Sequence, residues 1–406
     1  MSLPRLVIVD GIRTPFCKWN THFAAVGADE LGRVAVSALL ARTGLEPKLI
    51  DEVIFGCVCQ PVETANIARV IALRAGIPES VPAMTVHRNC ASGFEAVTTA
   101  FERMAAGRGS IYVVGGAENM SQVPLLFKQS TAKKYAALGG AKTMLKKVGA
   151  LGKFRPSDFE PRIALKLGLT DPVSGLNMGE TAETLAREND ISRAMQDEFA
   201  VESNLHAVAA RAKLAEEICP VYVNGKAITE DNGPRADTTL AALGKLRPVF
   251  DKRYGTVTAG NSSQISDGAV ALLVMTEAKA VELGFKEPLG YLAEYAYTGC
   301  DPARMGLGPV SAIRKAGLPL KMADVIEINE AFAAQVLAVV KQLGDVPREK
   351  LNVNGGSIAL GHPVGATGAR LVLSALKELK RRSARRALVS ACVGGGQGGA
   401  LWLERA

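Results

Sequence analysis

The chain has 406 residues, 48 Lys and Arg against 40 Asp and Glu, and a formal net charge of +8. Hydrophobic residues make up 48% and charged residues 22%, which excludes a disordered chain and leaves room for two core domains with an insertion. The charge suits a polyanionic ligand without separating nucleic acid, lipid surface and nucleotide cofactor. Seven cysteines, an odd number without CxxC pairs or spaced histidines, argue against a disulfide framework and against zinc, so a reduced, cytoplasmic protein is expected.

In chain order, the apolar run at the N-terminus stops at Asp10 and reads as a first strand rather than a signal peptide. No apolar stretch approaches the length of a membrane span. Cys57 and Cys59 flank one residue and read as buried thiols on one strand face. The run Val36–Leu45 is echoed by Val310–Leu318, and both lead into an Asp-containing apolar strand, Asp51–Ile54 and Ala323–Ile326. Cys90 and His362 are 272 positions apart, the same offset as Val53 and Val325, so two reactive residues fall in equivalent places of two similar halves.

Each half continues with an amphipathic run, Gly93–Met104 or Ala366–Lys377, then an apolar strand, Ile111–Val114 or Ala387–Ser390. Apolar strands alternating with helices predict an α/β architecture of parallel sheets covered by helices on both faces. Residues 1–120 with 249–270 form the expected N-terminal half and 271–406 the C-terminal half. Between them, 121–248 changes character, with glycines, prolines and a lysine-rich helical stretch from Ala132 to Val148, and is expected to be an inserted loop domain over the site.

Three segments carry chemistry. In Thr85–Phe94 a thiol, Cys90, follows a strand and precedes a helix, where amide N–H groups and the helix dipole stabilise a thiolate; the bland reading is a small buried residue. Asn352–Gly368 sets five glycines around His362, with Pro363 fixing the backbone behind it, and presents the imidazole as a base. Ala391–Gly399 ends a strand in a glycine turn, giving a second thiol, Cys392, and free amides for an oxyanion hole; it lacks the Lys and Ser/Thr of a phosphate loop. In Glu327–Phe332 an Asn and a Glu leave a strand, where a helix cap is the ordinary reading. Two thiols and an imidazole so placed suit acyl transfer through a thioester.

Together these residues resemble the thiolase family over essentially the whole chain. The marks are Gly11–Phe16, Asn89–Gly93, Gly115–Met120, Met178–Glu183, Thr256–Ser263, Asn329–Phe332, Gly361–Gly368 and Cys392–Gly398. The resemblance implies duplicated thiolase-type halves in a five-layered αβαβα arrangement, forming dimers or tetramers. It implies Cys90 as acyl-accepting nucleophile, His362 as its base and Cys392 as a second acid/base at the α-carbon of acetyl-CoA. It further implies that Asn329 holds a water that, with His362, binds the thioester oxygen, and that the amides of Cys90 and Gly394 form a second oxyanion hole. Ser263 stands where members contact the pantetheine arm, and Met178, Ala331 and Phe332 where they wall the acyl site; core packing is the alternative for all four. No metal and no permanently bound cofactor is implied, CoA being a co-substrate.

His87, where many members carry Asn, and Asn177, where short-chain biosynthetic members carry His, point away from an acetoacetyl-specific enzyme. The lysine-rich loop and Met195–Phe199 resemble subunits that partner a hydratase/dehydrogenase, whereas Asn329 and Cys392–Gly394 follow the general pattern. The expected activity is cleavage of 3-ketoacyl-CoA by CoA to acetyl-CoA and a shortened acyl-CoA. The close alternative is acetyl-CoA C-acetyltransfer, and one of another class is a non-catalytic acyl-CoA or lipid binder, which would need none of Cys90, His362, Asn329 and Cys392. The lysine stretch has three readings: CoA phosphates, a membrane or partner, or a solvated face.

Overall fold

The computed structural model describes residues 3–344 and 346–406. A continuous sheet of ten strands runs in the order Val325–Ile328, Arg386–Val393, Gln397–Arg405, Gly290–Gly299, Leu6–Arg13, Ser266–Thr276, Ile111–Asn119, Glu52–Gly56, Ala83–Val86, with Cys17–Lys18 paired to Ser266–Thr276. Its two halves join where Val7 faces Tyr291 and Ile8 faces Gly290.

The expected all-parallel sheets are corrected to mixed ones. Glu52–Gly56 runs parallel to Ala83–Val86 and to Ile111–Asn119, and Val325–Ile328 parallel to Arg386–Val393. The strands nearer the junction are antiparallel. The reason is local: Gly394–Gly396 close a tight hairpin between Arg386–Val393 and Gln397–Arg405, with Gly395 and Gly396 at φ of 87° and 80°, and so short a turn joins only antiparallel strands.

Three apolar cores separate five layers. One core joins both halves of the sheet to the helices Ser92–Ala105 and Val364–Arg382, which lie against each other. A second packs Ala28–Thr43 and Ile67–Arg74 on the outer face of the first half, and a third packs Gly308–Lys315 and Ala333–Leu343 on the outer face of the second. The central helix Val364–Arg382 is covered on both sides, so even its polar Thr367, Arg370, Ser374 and Glu378 are buried. Its start and that of Ser92–Ala105 keep the 272-residue offset seen in the sequence.

The described residues form two compact units, one up to Gln122 together with Asp171–Ala406, the other Val123–Thr170. Of the stretch 121–248, then, only Val123–Thr170 is compact by itself; Met178–Glu188 and Arg193–Ala209 pack on Ala333–Leu343 within the main unit. The strand Ser266–Thr276 pairs along its length with the first half, through the expected boundary at 270. The lysine-rich stretch of the smaller unit is two helices, Gln129–Gly139 and Met144–Leu151, rather than one, interrupted after Gly139-Gly140. Phe127, Tyr135, Phe154 and Phe159 form a chain of ring contacts that leaves three of the rings exposed, and Lys134 pairs with Asp158 at 2.6 Å.

Candidate active site

Cys90 sits in the turn between the strand Ala83–Val86 and the helix Ser92–Ala105. The turn is held from within: Ser92 Oγ donates to the Asn89 carbonyl at 2.7 Å and accepts from the Arg88 amide at 2.9 Å, while Asn89 takes a left-handed φ of 42°. It is tied to the other half by Asn89 Nδ2, which donates to the Gly394 carbonyl at 2.7 Å. Cys90 remains partly accessible. Burial of its sulfur pushes the thiol pKa up, while the amides of Gly394 and of Cys90 itself donate to it and pull the other way. Two N–H groups thus converge on the place where a nucleophile would carry charge.

His362 occupies the equivalent turn, between Gly361 at φ 103° and the helix Val364–Arg382. Its Nδ1 lies 2.7 Å from Thr367 Oγ1 and its Nε2 3.4 Å from Asn329 Nδ2. Burial, reinforced by the positive charge of Arg370, pulls its pKa down to about 4, so the imidazole is neutral at physiological pH and can act as a base.

Cys392, fully buried near the end of Arg386–Val393, has its thiol pKa held well above the usual range, by burial first and then by Cys90 and Cys300 nearby. Its thiol therefore stays protonated at neutral pH, close to Cys90. Asn329 and Glu330 are not helix caps: the helix begins at Ala333 after Phe332, and both side chains are buried in networks. Asn329 Oδ1 accepts from Ser357 Oγ at 2.6 Å; Glu330 accepts from Ser203 Oγ at 2.7 Å and Asn352 Nδ2 at 2.8 Å.

Met178, Ala331 and Phe332 share one apolar cluster with Cys392. Met178 opens the helix Met178–Glu188, capped by Asn177, whose Oδ1 accepts from the Gly179 amide at 3.0 Å; that is the work done by this departure from the family pattern. Ser263 is partly accessible and its amide donates to Ala331 at 2.9 Å, which places it on the rim of the same cluster. His87 is exposed. Cys57 and Cys59 lie beyond the end of Glu52–Gly56, not on it. Cys57 is buried with its thiol on Glu118 at 3.6 Å, and Cys59 is only partly buried.

Four contributors escaped the sequence reading. Glu118 accepts from the amides of Val58, Cys59 and Gly365 and so ties the loop after Glu52–Gly56 to the start of the helix that follows His362. Thr367, Ser357 and Arg370 surround His362 and Asn329. Arg370 had a visible signal, a lone charge amid Ala369-Arg-Leu-Val-Leu373; the others required neighbours from distant segments.

Residues 6–278 match the family model "Thiolase, N-terminal domain" and 286–405 the model "Thiolase, C-terminal domain". The chain is 40% identical to the 3-ketoacyl-CoA thiolase of Pectobacterium atrosepticum over 427 aligned positions, covering 98% of this chain and 96% of that protein. It is 39% identical to that of Yersinia enterocolitica, covering 98% and 97%. Among solved structures, the Bacillus anthracis acetyl-CoA acetyltransferase superposes with a TM-score of 0.90 at 38% identity, covering all of both chains. Human mitochondrial 3-ketoacyl-CoA thiolase in complex with CoA superposes with 0.89 at 36%, covering all of this chain and 98% of that one. With both halves matched by the family models and relatives aligned nearly end to end, this chain belongs to the thiolase family.

Proposed function

We propose that this chain is an acyltransferase that cleaves 3-ketoacyl-CoA with CoA, as in fatty-acid β-oxidation, giving acetyl-CoA and an acyl-CoA shortened by one acetyl unit. The observation that carries the reading is a pair of equivalent turns, one presenting Cys90 to the Gly394 and Cys90 amides near the buried Cys392, the other holding the buried His362 between Asn329 Nδ2 and Thr367 Oγ1. Relatives named 3-ketoacyl-CoA thiolase support the substrate class.

In this reading His362 takes the Cys90 proton, and the thiolate adds to the 3-keto carbon. The bond between C2 and C3 then breaks, its electrons pass to the acetyl-CoA enolate, and Cys392 delivers a proton to C2. Asn329, through a water, and His362 stabilise the thioester oxygen as the enolate forms. CoA then enters, Cys392 removes its thiol proton, and CoA sulfur attacks the acyl-Cys90 carbonyl. The oxyanion falls between the amides of Cys90 and Gly394 before Cys90 leaves. Ser263 would meet the pantetheine arm, with Met178, Ala331 and Phe332 around the acyl group.

The same steps run backwards condense two acetyl-CoA molecules, and similarity to an acetyl-CoA acetyltransferase keeps that reading beside the first. The proposal extends to CoA as co-substrate rather than bound cofactor, to a homodimer or homotetramer with a possible hydratase/dehydrogenase partner, and to a cytoplasmic location. Seven free cysteines among the described residues support a reducing compartment. No described helix is long and apolar enough to cross a membrane.

The test is CoA-dependent loss of acetoacetyl-CoA and of a long-chain 3-ketoacyl-CoA, with Cys90→Ala beside the wild type. Long-chain turnover abolished in the variant supports the degradative thiolase. Activity confined to acetoacetyl-CoA supports the acetyltransferase, and no turnover with either refutes both.

A further inference from the structure

A line of hydrogen bonds runs through His362, and both of its ends can act in one direction only. At one end stands Arg370, 1% exposed, whose guanidinium reaches Glu327 Oε2 at 3.2 Å and Ser357 Oγ at 3.5 Å. A guanidinium donates and never accepts, so Ser357 accepts from it and gives its own proton to Asn329 Oδ1 at 2.6 Å. That contact turns the Asn329 amide so that its NH2 faces His362 Nε2 at 3.4 Å. An amide NH2 also only donates, so Nε2 must present its lone pair.

At the other end stands the Pro363 carbonyl, which only accepts. Thr367 Oγ1, fully buried, has one proton, and giving it to Pro363 O at 2.9 Å leaves the oxygen lone pair for His362 Nδ1 at 2.7 Å. Nδ1 must then carry the hydrogen. Two arguments, from opposite sides of the ring, arrive at the same tautomer.

We propose that Thr367 and Arg370 are positioning residues for the acyl-transfer reaction: together they lock His362 as its Nδ1–H tautomer, leaving Nε2 as the ring's proton acceptor toward Asn329 and the substrate. Arg370 acts through Ser357 and Asn329, and its charge also disfavours the imidazolium. Thr367 acts directly on the far nitrogen. Neither needs to touch substrate. The inference rests on His362 being the base of the proposed reaction, but the tautomer itself can be read without any substrate.

The experiment is nitrogen-15 NMR of the full-length protein labelled at histidine, in which four histidines give a tractable spectrum, with steady-state kinetics on the same samples. In the wild type near pH 7, His362 shows a protonated Nδ1 and an unprotonated Nε2. Thr367→Val, nearly isosteric but without the hydroxyl, mixes the tautomers and lowers kcat at least about tenfold with KM within about twofold, less than the roughly 10²–10⁴ of losing a general base outright because part of the histidine keeps the productive tautomer. Thr367→Ser restores both the spectrum and most of kcat. An Nε2–H tautomer in the wild type overturns the proposal, even if Thr367→Val fails to fold. So does a folded Thr367→Val enzyme with unchanged tautomer and kcat. Absence of wild-type turnover with the expected tautomer would instead refute the proposed function.

Discussion

Gly93 and Gly368 lie back to back where the two central helices meet. A Cβ on Gly368 would fall 2.5 Å from the Phe94 amide nitrogen, and one on Gly93 would collide with the Ala369 amide. The obstacle is backbone in both cases, so no side-chain rotation relieves it. These two positions follow Cys90 by three residues and His362 by six, and the absence of side chains there lets the reactive turns approach.

Gly93→Ala and Gly368→Ala should therefore destabilise the protein by at least about 3 kcal/mol, the upper end for overpacking a close contact. Turnover of any folded fraction should fall further, because the two turns are pushed apart. Denaturant unfolding together with activity per folded molecule checks this, and a near-neutral alanine at either position would contradict the close-approach account.

The pH dependence should carry the signature of a buried neutral imidazole. With its pKa near 4 instead of the ordinary 6.5, His362 stays unprotonated over most of the working range, so the acid limb of kcat/KM should lie near pH 4. Stability follows with a definite sign. Between these two pH values the unfolded chain binds a proton that the folded one does not, so this contribution is present above 6.5 and is lost as pH falls toward 4. His362→Asn should flatten that part of the stability curve, as measured by denaturant midpoints; an unchanged slope would argue against the buried neutral state.

Glu118 should be structurally demanding. It is fully buried and accepts from Cys59 N at 2.7 Å, Gly365 N at 2.8 Å and Val58 N at 3.0 Å. Burial raises its pKa while these amides lower it. Glu118→Gln keeps the shape but replaces one acceptor oxygen by a donor facing amide N–H groups, at a cost of about 2–3 kcal/mol. Calorimetry measures this. A loss below about 0.5 kcal/mol, the range of ordinary surface substitutions, would mean that the carboxylate does not tie the Val58–Cys59 loop to Gly365.

Cys392→Ala should slow both half-reactions, because Cys392 moves a proton in each. Incubation with acetyl-CoA should still place an acetyl group on Cys90, but more slowly, since the leaving CoA thiolate lacks its proton donor; intact mass follows this. Cleavage of 3-ketoacyl-CoA should fall by about 10²–10⁴, the usual worth of a general acid/base. Acetylation and cleavage both at the wild-type rate would remove Cys392 from the reaction.

Much of this was legible without coordinates. The 272-residue offset between Cys90 and His362 reappears as the offset between the helices Ser92–Ala105 and Val364–Arg382, because strand and helix periodicity and glycine turns are written locally. Strand direction was not legible: a buried apolar strand has the same pattern whether its neighbour runs parallel or antiparallel, and the hairpin at Gly394–Gly396 decides it for one pair alone. The insertion was placed by composition, yet Asp171–Pro248 joins the main unit, where its helices bury their apolar faces on Ala333–Leu343.

By itself, then, the sequence determined which reactive groups exist, which turns present them and that the chain is duplicated, since each of these depends on residues close together along the chain. The tertiary structure decided the protonation and aim of those groups. Glu118 reaches Gly365 across 247 positions, and the Ser357, Arg370 and Thr367 side chains orient Asn329 and His362. The sense of a hydrogen bond and the depth of burial depend on what faces a side chain, and that is settled only when distant segments pack.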